Sequence, residues 1–222
     1  MSKNTKIEWT DHTWNPWIGC TKVSPGCANC YAETLMDKRY GRVQWGKGNP
    51  RSRTSEANWK KVEQWNKKAG ADLLAAAHIL RDEKAGNHNI NWAMSVHRPR
   101  VFVASLADWL DPEVPIEWLA DLLDLIHRCK HLDFLLLTKR PELWKERMGD
   151  VYRRFQNWNG EGRNPITSAA MYLATEWSCL ITTPTNVWIG WSVENQKQNN
   201  KRTPYGLAIP AAVHFISAEP LL

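Results

Sequence analysis

No stretch of this sequence approaches the roughly 20 consecutive apolar residues that a helix needs to cross a bilayer. The opening segment MSKNTKIEWTDH also lacks the apolar run of a secretory leader. Both absences point to a cytoplasmic protein with no membrane contact. No internal repeat is evident, which argues against a solenoid. Cysteine is sparse and odd in number, five in 222 residues, so the thiols cannot all pair as disulfides. In a reducing compartment, clustered cysteines favour metal or redox chemistry over structural cross-links.

What is present is the mix of a soluble globular protein, with 43% hydrophobic and 23% charged residues. That length suits one sizeable core, so residues 1–222 are read as a single domain. The formal net charge of +6 is unevenly spread. Between Lys38 and Lys68 there are ten Lys/Arg against Glu56 and Glu63, a local +8, which leaves −2 for the rest of the chain. Residues 38–98 are therefore read as a basic helical insertion. Tryptophan is abundant at 14 residues, and Trp45, Trp59 and Trp65 are interleaved with these cations.

Ser55 is a candidate cap for a helix in which Trp59, Val62, Trp65 and Ala69 recur at helical spacing before Gly70, with a second helix over ADLLAAAHILRDEKAG. RVFVASL, HLDFLLLTKR, NVWIGWSV and AVHFISAEPLL read as buried strands. Between them, the segment around IEWLADLLDLI and the segment PELWKERM read as helices, a helix near SAAMYLATEWSCL is expected, and ENQKQNNKR reads as an exposed helix. Apolar strands alternating with helices indicate parallel βαβ units, either a partial (β/α) barrel or an open parallel sheet of four or five strands. Ligands of such folds gather at the carboxyl ends of the strands. Here those ends carry Ser105 and Asp108, Thr138-Lys139-Arg140, Ser192 with Glu194, and Ser217 with Glu219.

GCTKVSPGCANCYAE places Cys20, Cys27 and Cys30 in a C-x6-C-x2-C arrangement, with Ser24, Pro25 and Gly26 turning the chain between the first two thiols. Three thiolates suit a four-iron four-sulfur cluster with one iron left open for a ligand such as S-adenosylmethionine. Two other readings stand beside this one: a tetrahedral zinc site completed by His12, and three reduced cysteines in a tight loop. No fourth cysteine lies nearby, and Cys129 and Cys179 are expected in the core.

The segments KIEWTDHTWNPWIGCTKVSPGCANCYAE, NPRSRTSEANWKK, RVFVASLADW, LLLTKRPE, NVWIGWSVENQ and FISAEPLL together resemble the phage gene-product thirty-seven / sixty-eight family. That is a domain of unknown function related to radical S-adenosylmethionine proteins. The resemblance implies a radical-S-adenosylmethionine-like fold, the four-iron four-sulfur cluster, S-adenosylmethionine as cofactor and a protein that supplies the reducing electron. It also implies a C-terminally truncated copy, since members usually continue beyond the last of these motifs.

The wider superfamily has C-x3-C-x2-C with an aromatic residue before the third cysteine; this chain has Asn29 there, and Tyr31 stands in its place. Ser105 and Asp108 occupy the position of its Gly-Gly-Glu, to receive the methionine amino group, or else they cap a strand end. Lys139 and Arg140 are candidates for a carboxylate or phosphate, or are solvated charges. Glu194 and Glu219 are candidates for ribose hydroxyls or acid–base work, or they start the next element. Arg51, Arg53, Lys60 and Lys61 are candidates to bind nucleic acid, with the interleaved tryptophans stacking on exposed bases, which would make the substrate a nucleotide to be modified or repaired. The alternative for this segment has Trp59 and Trp65 in the core under a solvated lysine face. Beside the enzyme stand two other functions: a non-catalytic zinc- or cluster-stabilised nucleic-acid-binding protein, and a remnant with a cluster loop but no turnover.

Overall fold

The computed structural model describes residues 7–82, 84–158, 160 and 164–222. The chain runs through β1 (His12–Trp14), β2 (Trp17–Ile18), α1 (Tyr31–Glu33) continuing as a π-helical turn (Thr34–Arg39), β3 (Ser52–Arg53), α2 (Glu56–Ile79) and α3 (Asn87–Ser95). It continues through β4 (Arg100–Val103), α4 (Ile116–Arg128), β5 (Asp133–Thr138), α5 (Trp144–Gln156), α6 (Ser168–Ser178), β6 (Val187–Ser192), α7 (Gln196–Ala208) and β7 (Val213–Ser217). Five parallel strands stand in the order β1-β4-β5-β6-β7, and β2 and β3 form a short antiparallel ribbon.

This order decides where the helices go. Each new strand is added on the same side of its predecessor, and crossover connections keep one hand, so the helices collect on one face of the sheet. Val101 and Val103, Phe134 and Leu136, and Ile189 and Trp191 alternate into that face and share a core with Leu119, Leu122, Leu123 and Ile126 of α4 and with Trp59 and Val62 of α2. The opposite face carries Phe102, Leu135, Trp188 and Phe215, and the Trp9 ring lies over two of them, 4.9 Å from Phe102 and 5.9 Å from Phe215. No barrel is closed among the described residues, so the open parallel sheet is the form observed.

Several local expectations are corrected. Gly70 does not end a helix: α2 runs straight through it, because a Cβ there would stand 2.7 Å from the His131 ring and the glycine permits that approach. The three-residue β1 has too few residues to show a period, and it supplies the fifth strand. The helix expected to be exposed extends to Ala208 as α7 and buries Arg202 and Gln198. Cys129 is buried as expected and burial pushes its thiol up to about 11, but Cys179 caps α6 beyond its buried stripe and is exposed.

Candidate metal centre

The cysteine loop leaves the carboxyl end of β1 through β2 and a sharp turn at Gly19, whose φ of 112° belongs to the region that favours glycine. A Cβ at Gly19 would also stand 3.0 Å from Arg51 Cδ. Cys20 follows directly, Cys27 ends the 3-10 turn Pro25–Cys27, and Cys30 precedes α1. The loop folds over the carboxyl ends of β4, β5 and β6, so all three cysteines line one cavity of about 160 Å³ together with Ser105, Asp108, Lys139, Arg140 and Ser192. At its wall Ala104 is held at φ 62°, a conformation that costs a non-glycine residue about 1–2 kcal/mol. Backbone strain of this kind collects at functional sites.

Among the described residues, no three His, Cys, Asp or Glu side chains are already gathered as an ion cage. The thiols therefore share a cavity without a preassembled coordination shell. Burial, with the Asp108 carboxylate adding to it and Arg140 opposing, pushes the Cys20 thiol up to about 12. A cation bound there would have to displace that proton.

Three buried arginine–carboxylate pairs hold the loop in place. Arg140 donates from Nη1 to Asp108 at 2.8 Å, points both terminal nitrogens at Cys20 Sγ at 3.5 and 3.6 Å, and reaches the Thr21 carbonyl at 2.5 Å. Burial alone would lower its pKa, but Asp108 and Cys20 outweigh that and raise it. Arg51 donates to Asp111 at 2.9 and 2.8 Å and to the Thr21 hydroxyl at 2.7 Å. Arg202 donates to Glu194 at 2.6 Å, and Glu194 accepts from the Gly26 backbone N–H at 3.3 Å and from Ser24. Burial would raise the Glu194 pKa, yet the bonds from Ser24 and Arg202 prevail and lower it.

The expected site residues divide accordingly. Ser105, Asp108, Lys139 and Arg140 meet the cysteines in the cavity. Asp108 accepts four hydrogen bonds there, from the Thr138 hydroxyl, Arg140, and the Leu110 and Lys139 backbone N–H groups, so its carboxylate is occupied as a strut. Lys139 is half-buried, and among the described residues no ion pair engages it. Glu194 sits beneath Gly26, fully buried. Tyr31 is 70% exposed and faces a neighbouring cavity, while Glu219 lines another one with Trp9, Trp188 and Phe215. His12 is stacked on Trp65 at 4.2 Å in yet another cavity, so it does not complete a site with the thiols.

The basic segment is corrected on burial. Arg51 is 5% exposed and wholly engaged inside the protein, which removes it from any nucleic-acid surface. Arg53 bonds to Asp121 at 2.9 Å and lies over the Trp59 ring at 4.0 Å. Trp45 and Trp59 are buried, and Trp65 packs against the core. Lys60 and Lys61 are exposed. Sequence reasoning misses Asp111 and Thr21, whose partner Arg51 lies 60 and 30 positions away, and Arg202, whose pairing with Glu194 eight positions earlier carries no sequence signature.

Fold and site together define an open parallel α/β protein with a three-thiol cavity roofed by one loop at the carboxyl edge of its sheet. The chain belongs to the family described as Protein of unknown function (DUF5131), whose model matches residues 4–222. No curated protein and no solved structure matches it. The resemblance to a domain of unknown function is thereby borne out, whereas the family's description carries neither an activity nor a phage origin.

Proposed function

We propose that Cys20, Cys27 and Cys30 hold a four-iron four-sulfur cluster and that the chain is a radical S-adenosylmethionine-like protein acting on a nucleotide or nucleic-acid substrate. The observation that carries this reading is the convergence of three loop thiols on one cavity at the carboxyl ends of parallel strands. The residues fit the group: the cavity offers three soft sulfur donors, enough to anchor three irons and leave the fourth open. When bound, the cluster would supply the electron that splits S-adenosylmethionine reductively into methionine and a radical that takes hydrogen from the substrate.

The chain's own contribution is positioning. Arg140 brings a fixed positive charge to the Cys20 sulfur, favouring the thiolate that a ligand requires. Glu194 and Arg202 tie down the backbone beside Cys27. Lys139 offers a cation at the cavity wall for the amino-acid end of the cofactor, while the Ser105 hydroxyl is paired with the Asn15 amide, accepting from Nδ2 at 3.0 Å. Lys60 and Lys61 are the cations of the original set that are free to meet a nucleic acid. A reductant protein is a required partner of this activity. The zinc alternative would need a fourth ligand other than His12.

The test is turnover. The reconstituted, reduced chain should convert S-adenosylmethionine to 5′-deoxyadenosine, and a Cys30→Ala variant should not. No nucleoside product from cluster-loaded protein would refute the enzymatic reading.

A further inference from the structure

A second, larger cavity of about 870 Å³ adjoins the cysteine cavity, and the two share Phe102 and Ser105 in their walls. Its lining contains two arginines, Arg42 and Arg53, and no carboxylate. Arg42 is exposed and lies over the Tyr40 ring at 5.5 Å, and among the described residues no carboxylate pairs with it. Arg53 is anchored through Nη2 to Asp121, and its Nη1 is buried with no partner among the described residues. Glu56, 4.0 Å from Arg53, does not line the cavity.

The same wall holds Ser55 and Asn58 at the start of the 24-residue α2, where Ser55 makes no side-chain cap and the Asn58 N–H is taken by the Ser55 carbonyl at 2.8 Å. Asn58, 6% exposed, donates to the Asn15 carbonyl and the Thr54 hydroxyl, and its Oδ1 is buried with no partner among the described residues. Ile18, Leu35, Leu106 and Phe102 make part of the remaining wall apolar, beside the polar Thr13, Asn15, Ser52, Thr54 and Ser105, and the exposed Tyr31 lines it too.

We infer that this cavity binds a phosphorylated, ring-bearing ligand of nucleotide size. The phosphoryl group meets the exposed Arg42 guanidinium, and the Arg53 charge in the same wall and the N-terminal end of α2 favour an anion there. The ring lies on the apolar part of the wall against Tyr31. The volume is in the range of cavities that enclose one small organic ligand. The inference rests on the reading above only in calling this ligand the substrate; its binding requires no cluster.

Calorimetric titration of the full chain as purified, with the four ribonucleoside monophosphates, their nucleosides and inorganic phosphate as separate probes, tests it. At least one monophosphate should bind more tightly than its nucleoside and than inorganic phosphate. Arg42→Gln, a change at an exposed side chain, should weaken that monophosphate about 10- to 100-fold and leave the nucleoside unchanged, the size expected for a hydrogen bond to a charged group. Affinity should also fall with added salt. Equal binding of nucleoside and nucleotide, indifference to Arg42→Gln, or binding of single-stranded oligonucleotides with none of mononucleotides would each overturn it. Because the titration is independent of iron, its failure leaves the cluster reading untouched, and failure of the cluster to assemble leaves the titration valid.

Discussion

Arg140→Met removes one half of a buried ion pair and keeps most of the volume. Arg140 and Asp108 are 4% and 5% exposed, so neither charge is relieved by water. Breaking such a pair from one side costs about 3–5 kcal/mol, because the remaining charge stays buried. Asp108 keeps its bonds from the Thr138 hydroxyl and from the Leu110 and Lys139 backbone N–H groups, which puts the expected cost near the lower end, about 3 kcal/mol. For a chain of this length, about 2–4 °C of melting temperature follows each kcal/mol, so a fall of about 6–12 °C is expected. Thermal unfolding followed by far-ultraviolet circular dichroism measures it. Asp108→Asn combined with Arg140→Met should cost less than the two single changes added together, since the uncompensated charge is then gone. A fall below about 3 °C, or strict additivity in the double variant, would show that this pair does not hold the loop.

Other outcomes follow from the same contacts. Glu194→Gln should destabilise the chain at neutral pH; because the folded-state pKa of Glu194 is lowered, its contribution is present above the ordinary value of 4.5 and fades as pH falls through the folded value, so denaturation midpoints of wild type and variant should converge in acid. Gly206→Ala should lower stability by about 1–2 kcal/mol in denaturant titration, since the added Cβ collides with the buried Trp191 ring and overpacking exceeds the roughly 1 kcal/mol of helix propensity gained. Replacing Lys60 and Lys61 together by Gln should flatten the salt dependence of oligonucleotide binding by about 2 units, and adding Arg51→Gln should reduce folding stability and leave that slope unchanged. An unchanged slope in the double lysine variant would remove α2 as a contact surface.

Much of the frame was legible because it is written in local period. The apolar runs at 101–103, 134–137 and 187–191 are short and rich in branched and aromatic residues, which favours strands covered by helices, and Leu119, Leu122, Leu123 and Ile126 fall on one face of α4 as their spacing dictates. The cysteine loop was legible from spacing and turn residues alone. What was not legible depends on distance in sequence. Arg51 and Lys60 look alike in a basic run, yet one is sealed against Asp111 and the other is in solvent. Arg202 lies in a polar stretch and is buried against Glu194, just beyond β6, and against the Ser192 and Lys139 carbonyls, the last of them 63 positions away. Gly70 reads as a helix stop until His131 is brought against it. In each case a tertiary partner overrides the local signal.

The most direct measurement of the central claim is metal and sulfide content per chain. After anaerobic reconstitution the wild-type protein should hold about four iron and about four labile sulfide, and Cys27→Ala should hold far less because two thiolates remain to anchor the cube. Cys129→Ala, remote in the core, should match the wild type. Stoichiometric zinc in the protein as purified, or wild-type iron and sulfide in Cys27→Ala, would contradict the account.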